Sequence, residues 1–117
     1  MTFSSNKAII ANLSSSVSDR LKASPTEIAE FCQRWRIIEF ALFGSVLRDN
    51  FRPDSDIDVL VTFAPEYFLI LDHWLSIQEE IENLFERKVD LVVKKYLKNP
   101  YRRHEILNTC QVIYANK

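Results

Sequence analysis

Two short apolar runs, separated by a polar connection, constrain the fold of this chain more than any other feature. They cover Ile37–Phe43 and Ile57–Phe63, and each is long enough for one strand but short for a helix. A strand that is apolar on both faces needs a layer on each side of its sheet, so we expect helices to cover it. The connection carries Pro53 and Asp54, which are turn residues, and functional side chains often lie in such loops.

Capping residues and apolar spacing predict helices around these strands. Ser24-Pro25-Thr26-Glu27 has the pattern of a capping box, which predicts a helix over 25–35. A helix is predicted over 68–87 from apolar residues three and four positions apart: Ile70, Trp74, Ile77, Ile81 and Leu84. Another is predicted over 101–109, and one near the start of the chain, where apolar residues recur every four positions: Ile9, Leu13, Val17 and Leu21.

A third strand, over 88–93, gives the predicted order helix, strand, loop, strand, helix, strand, helix. This order implies an α/β or α+β fold in which helices flank a small mixed β-sheet. The length of 117 residues is typical of one domain, and 47% hydrophobic residues suffice for a packed core. We therefore expect a single domain over 1–117, with a serine-rich helical lead-in over 1–23.

The charge balance and the cysteines exclude several classes of function. Fifteen basic and sixteen acidic residues give a net charge of -1, which lacks the positive field that gripping a long nucleic acid requires. Cys32 and Cys110 have no metal-binding spacing, so we expect free thiols. The short apolar run at 8–11 is too brief for a signal peptide or a membrane span, so a cytoplasmic protein without a membrane partner is expected.

Three aspartates are the candidate catalytic and metal-binding residues. Asp56 and Asp58 stand two residues apart at the start of the second apolar run, so both side chains project to one face. Two carboxylates held so close favour a cation such as Mg²⁺ between them. Asp90 interrupts the third strand, and if that strand lies beside the second it completes a cluster for two metal ions. The alternatives are that the pair are ordinary turn residues and that Asp90 pairs with Lys88 or Arg87.

The only glycine of the chain, Gly44, directly follows the first strand and precedes Ser45. Backbone N–H groups at this turn, with the Ser45 hydroxyl, could bind the phosphates of a nucleotide. Arg48 and Arg52 are candidate phosphate contacts, with solvated loop charges as the alternative. A basic stretch could also neutralise a triphosphate, although a solvated helix face is the preferred interpretation: Lys94, Lys95, Lys98, Arg102 and Arg103.

The spacing of these residues resembles a known superfamily. Gly44-Ser45, ten further residues and then Asp56-Ile57-Asp58 resemble the motif of the DNA polymerase beta superfamily of nucleotidyltransferases. The run over 52–61 is similar to its minimal nucleotidyltransferase (MNT) branch, whose common Gly-Ser-x-Ala-Arg-Gly departs here at Leu47 and Asp49. With Asp90 and the closing 112–115 segment, the resemblance covers roughly residues 25 to 115.

The resemblance implies a nucleotidyltransferase (polymerase beta-like) core that binds ATP with two Mg²⁺ ions. It assigns Asp56 and Asp58 as metal ligands and Asp90 as a third ligand and possible base. It also implies that the partner is a HEPN toxin, and that the chain is an antitoxin of a type VII toxin–antitoxin system that adenylylates a toxin tyrosine. Two alternatives are an antitoxin that only covers the toxin's active site and an enzyme that modifies a small molecule such as an aminoglycoside.

Overall fold

A computed structural model describes residues 9–10 and 13–116 of the chain. The start of the lead-in, 1–8 and 11–12, lies outside the described residues. The strands are β1 Ile9–Ile10, β2 Ile37–Phe43, β3 Ile57–Phe63, β4 Val89–Val93 and β5 Gln111–Ala115. The α-helices are α1 Ser15–Leu21, α2 Pro25–Arg34, α3 Leu71–Phe85 and α4 Pro100–Thr109, and 3-10 turns cover Gly44–Leu47 and Lys94–Tyr96.

The sheet is mixed, which confirms the predicted fold class. Its strand order is β1-β5-β2-β3-β4, with antiparallel neighbours except for β3 and β4, which run parallel. Because β3 and β4 are parallel, the chain must return between them, and α3 forms that crossover. The two strands that carry Asp58 and Asp90 as their second residues therefore lie side by side.

Helices cover both faces of this sheet. On one face, side chains of α1, α2 and α3 form the larger core with alternate residues of the strands, among them Phe40, Val59 and Leu91. On the other face, Ala41 and Leu60 pack against Leu97 and Ile106, which lie just before and within α4. Strand alternation thus directs every second residue of β3 towards α4.

Several predicted elements hold and others needed correction. The bounds of β2 and β3 and the Ser24–Glu27 capping box are confirmed. The long helix begins at Leu71, so Ile70 is not a core residue: it occupies the N-cap position without a side-chain cap and is 42% exposed. Ile9 does not continue the first helix but pairs with β5.

The fifth strand, Gln111–Ala115, was missing from the predicted order of elements. It pairs with β2 on the side opposite β3, and it carries Ile113 and Tyr114 into the core. In the described part of the chain, no helix is both long and apolar enough to cross a membrane.

Both cysteines are free thiols, as predicted, but their reactivities should differ strongly. Burial raises the pKa of Cys32 far above its usual range, and burial also raises the pKa of the less deeply placed Cys110. The thiolate is the reactive form of cysteine. We therefore expect only Cys110 to react in the native chain, and slowly, whereas both thiols should react after unfolding. Titration with a chromogenic disulfide reagent, with and without denaturant, measures this. Fast reaction of both thiols in the native protein would contradict the packing of Cys32.

Candidate active site

The start of β3 places Asp58 on the face of the sheet that α4 covers. Asp58 lies two residues before Leu60, so it projects to the same side as that α4-facing residue. In the parallel register of β3 and β4, Asp58 stands directly opposite Asp90. From the sequence, this pairing depended on the third predicted strand lying beside the second, and the observed sheet has that arrangement. Asp56 precedes β3 by one residue and is exposed, as is Asp90.

Gly44 ends β2 at the point where the Asp58 carboxylate approaches the backbone. Its φ of 76° lies in the left-handed region, which favours glycine. An added Cβ atom would overlap Oδ2 of Asp58 and come within 3.1 Å of its Cγ. The one glycine of the chain is therefore required both by the backbone conformation and by the position of the carboxylate.

The surroundings of the Asp58 carboxylate disfavour its charged form. Its pKa is raised from the usual value, first by burial and then by the negative charges of Asp90 and Asp56. Two cationic side chains, Arg102 and Arg48, act in the opposite direction. Three acidic groups and two guanidinium groups thus share one region, and a bound cation would relieve the repulsion among the acidic ones.

A cleft of about 240 Å³ opens beside Asp58. Its walls come from the end of β2, the turn that follows it and one side of α4: Phe43, Gly44, Arg48, Asp58, Arg102, Glu105, Ile106 and Thr109. The α4 residues recur at steps of three and four, so a single helix face lines the cleft. The cleft therefore combines a glycine turn, two carboxylates, Asp58 and Glu105, and two arginines.

Other predicted site residues take different positions. Ser45 belongs to the 3-10 turn that begins at Gly44. Arg48 lines the Asp58 cleft, whereas Arg52 lines a separate cleft with Arg20 and Arg87. The structure thus brings Arg48, but not Arg52, to the candidate site.

The alternative interpretation of Asp90 as an ion-paired residue receives no support from its neighbours. The guanidinium of Arg87 donates instead to the backbone carbonyls of Arg52, Pro53 and Ser55. Among the residues described by the structure, Asp90 forms no salt bridge.

The donor chemistry of the three aspartates fits Mg²⁺, which prefers carboxylate oxygens together with water and substrate phosphates. Their geometry is not that of a finished metal site. Within 13–116, no three acidic, histidine or cysteine side chains are grouped closely enough to hold an ion as they stand. Metal binding would require these aspartate side chains to turn towards one another.

Arg102 is the cleft residue that the sequence interpretation treated as part of a solvated face. Its charge lowers the pKa of Asp58, so it faces the site. Other members of the basic stretch are engaged elsewhere: Lys94 pairs with Glu39, and Arg103 donates to the carbonyls of Lys94 and Leu97. The spacing of Arg102, Glu105, Ile106 and Thr109 was the available signal, but it did not reveal which element the face meets.

Comparison with known proteins places this chain in a wider group. The model of the nucleotidyltransferase domain family matches residues 27–113. Protein adenylyltransferase MntA of Thermococcus cleftensis is 37% identical over 70 residues, which are 60% of this chain and 69% of that protein. A candidate minimal nucleotidyltransferase of known structure is 32% identical, with a TM-score of 0.61, over 74% of this chain and 86% of its own.

A solved complex extends the comparison to a more distant structure. It contains a tri-AMPylated Shewanella oneidensis HEPN toxin with an MNT antitoxin. The match has a TM-score of 0.55 at 16% identity, over 78% of this chain and 69% of the matched chain. At this identity the likeness concerns the fold alone.

Proposed function

The chain belongs to the nucleotidyltransferase domain family, and from this premise we propose that it transfers AMP from ATP to a tyrosine hydroxyl of a HEPN toxin and thereby acts as its antitoxin. The observation that carries the proposal is the site at the start of β3. There Asp58 faces Asp90 across two parallel strands and packs against the glycine turn that ends β2.

The proposed mechanism uses positioning and charge neutralisation, since phosphoryl transfer needs little covalent chemistry from the protein. Asp56, Asp58 and Asp90 would hold Mg²⁺, which would supply neutralisation of the phosphate charge. Gly44 lets the backbone approach the triphosphate, and the Ser45 hydroxyl donates to a phosphate oxygen. Asp90, the more exposed of the two facing carboxylates, accepts the proton of the hydroxyl that attacks the α-phosphorus, while the bond to the bridging oxygen breaks and pyrophosphate leaves.

The acceptor is proposed from the relatives together with the shape of the site. MntA of Thermococcus cleftensis is named a protein adenylyltransferase, and the matched complex contains an AMPylated HEPN toxin. The cleft beside Asp58 is lined by three exposed residues of α4, Arg102, Glu105 and Thr109, so a protein surface has access to it. A tyrosine carried by a bound partner can reach such a site.

Incubation of the chain with its partner toxin, Mg²⁺ and ATP labelled in the α-phosphate tests the proposal. We expect label on the toxin, located on tyrosine by mass spectrometry, and none when ATP is labelled only in the γ-phosphate. Absence of transfer from α-labelled ATP, with both proteins folded and associated, would refute the catalytic part. Labelling of an aminoglycoside instead would refute the choice of acceptor.

Arg102 should contribute to binding of the triphosphate. We expect Arg102→Ala to raise the KM for ATP about tenfold, because a charge-assisted hydrogen bond contributes about 1.5 kcal/mol or more. Its thermal stability should stay close to that of the wild type, since Arg102 is exposed on α4. Lys98→Ala removes an exposed charge from the same basic stretch without touching the cleft and serves as the matched control. Equal KM values for the two variants would show that Arg102 does not contribute to ATP binding.

A further inference from the structure

Two arginines outside the catalytic cleft hold the loop that joins β2 to β3. Arg87, between α3 and β4, places Nη1 within hydrogen-bond distance of three carbonyl oxygens of that loop. The distances are 2.9 Å to Arg52, 2.9 Å to Pro53 and 2.8 Å to Ser55. Ser55 is the residue directly before Asp56. Arg87 thus fixes the backbone from which the first aspartate projects.

Arg20, in the last turn of α1, holds the other end of the same connection. Its Nη1 donates to the carbonyl of Val46 at 2.9 Å and to that of Arg48 at 2.7 Å. These carbonyls belong to the turn that starts at Gly44 and to the residue that follows it. Arg20 therefore fixes the backbone of the glycine turn.

The ring of Phe51, in the middle of the connection, contacts both guanidinium groups. The Cζ atom of Arg20 lies 5.0 Å from the ring centroid and that of Arg87 lies 4.4 Å from it. Cation–π contacts at such distances are attractive and restrict the orientation of both arginines. We name Arg20, Phe51 and Arg87 the loop clamp.

This inference rests on the proposed function. We propose that Arg20 and Arg87 are positioning residues: Arg20 holds the glycine turn, and Arg87 the Asp56 carboxylate, in the position that catalysis requires. Residues 48–56 lie between the 3-10 turn and β3, without regular ladder hydrogen bonds to fix their backbone. The hydrogen bonds to the carbonyls of Val46 and Ser55 are part-buried, where a backbone acceptor needs a donor, and the arginines supply these donors from two different elements. A displacement of about 1 Å in such a site can reduce the rate about a hundredfold.

The two arginines act on different parts of the site, so their effects should separate. Loss of Arg87 frees the segment before Asp56, which should weaken Mg²⁺ binding. Loss of Arg20 frees the turn at Gly44 and Ser45, which should weaken nucleotide binding. A residue that supported only the general stability of the fold would produce neither pattern.

Arg103 provides a matched control. It is also half-buried and donates to two carbonyls, those of Lys94 and Leu97, but this turn lies outside the β2–β3 connection. Arg103→Ala therefore removes the same type of interaction without releasing the active-site loop. Any effect that it shares with the clamp variants reports on stability alone.

The experiment measures transfer to the toxin, binding of a fluorescent ATP analogue and amide hydrogen exchange of 46–56, in the full-length complex well below its melting temperature. For Arg87→Ala we expect the Mg²⁺ concentration for half-maximal transfer to rise about tenfold, with faster exchange at 52–56. For Arg20→Ala we expect the dissociation constant of the analogue and the KM for ATP to rise about tenfold, with faster exchange at 46–50. Millimolar guanidinium should restore part of the activity of Arg87→Ala.

Phe51→Leu is the milder variant, to be used if either alanine variant fails to fold. It removes the ring but no hydrogen bond, and it should give a smaller shift in the same two quantities. The proposal is overturned if the clamp variants match Arg103→Ala in Mg²⁺ dependence, nucleotide affinity and exchange while the wild type is active. An inactive wild type would instead overturn the proposed function, and loss of exchange protection in the clamp variants would still support the loop-holding role.

Discussion

Replacing Asp58 by Asn should lower AMP transfer by at least about a thousandfold while the protein remains folded. Asp58 is the half-buried carboxylate at the centre of the site, opposite Asp90 and against Gly44. The amide keeps its shape but loses the charge that metal binding requires. The loss should appear mainly in kcat, because the missing charge acts on the reacting phosphate.

Asp54→Asn is the matched control, since it removes an exposed charge four residues earlier, in the connection that precedes β3. Its transfer rate should stay within about twofold of the wild type, as expected for a surface change. Single-turnover transfer of α-labelled AMP to the toxin measures both variants. Retention of more than a tenth of the wild-type rate by Asp58→Asn would show that another group performs the chemistry. Protection of cells by an inactive but folded Asp58→Asn would favour an antitoxin that covers the toxin.

The same substitution should stabilise the protein in the absence of divalent cations. The pKa of Asp58 is raised in the folded state, so the folded state binds more protons than the unfolded one as pH passes through this range. The stability of the wild type therefore falls as pH rises above the usual aspartate pKa, and the Asp58→Asn variant escapes that fall. In chelator, this variant should melt higher at pH 7 and at the same temperature as the wild type near pH 3. Equal melting at pH 7 would argue against the burial and the repulsion that raise the pKa of Asp58.

Gly44→Ala should both destabilise the fold and stop transfer. An alanine at this φ costs about 1 to 2 kcal/mol, and forcing a methyl group against a packed side chain costs about 1 to 3 kcal/mol more. The Cβ would displace the Asp58 carboxylate that it overlaps. We expect a loss of about 2 to 5 kcal/mol in the free energy of unfolding and at least a hundredfold loss of activity. Denaturant melts and single-turnover transfer measure these losses.

The double variant Gly44→Ala/Asp58→Ala separates the two causes. Removing the Asp58 side chain removes the overlap, so only the backbone cost of about 1 to 2 kcal/mol should remain relative to Asp58→Ala alone. The interaction energy of this cycle should therefore be clearly non-zero. Additive effects would mean that the Asp58 carboxylate does not lie against Gly44.

Local sequence patterns predicted much of the fold because they reflect local physics. The apolar runs gave the bounds of β2 and β3, and the serine, proline and glutamate at 24–27 gave the start of α2. Both patterns depend on residues within one turn or one strand. The misplaced start of α3 shows the limit, because Ile70 fits the apolar spacing but lies at an end where no core covers it.

The β5 strand and the hydrogen bonds of Arg20 and Arg87 to backbone carbonyls could not be predicted from such local patterns. Gln111–Ala115 is a short run whose role depends on β2 being available as a partner. Arg87 contacts Ser55 across 32 positions of sequence, and Arg20 contacts Arg48 across 28. Such contacts leave no periodic signal, because they are formed by elements that meet only in the folded chain.

The sequence by itself determined the three candidate aspartates, the glycine turn and the class of fold, because residue type and short spacing decide them. Only the tertiary structure decided that Asp58 faces Asp90, that α4 brings Arg102 to the cleft, and that Arg52 lies in another cleft. Strand pairing and helix placement are set by burial of apolar surface over the whole chain. For this reason the sequence predicted the chemistry of the site, whereas the arrangement of its surrounding charges required the folded chain.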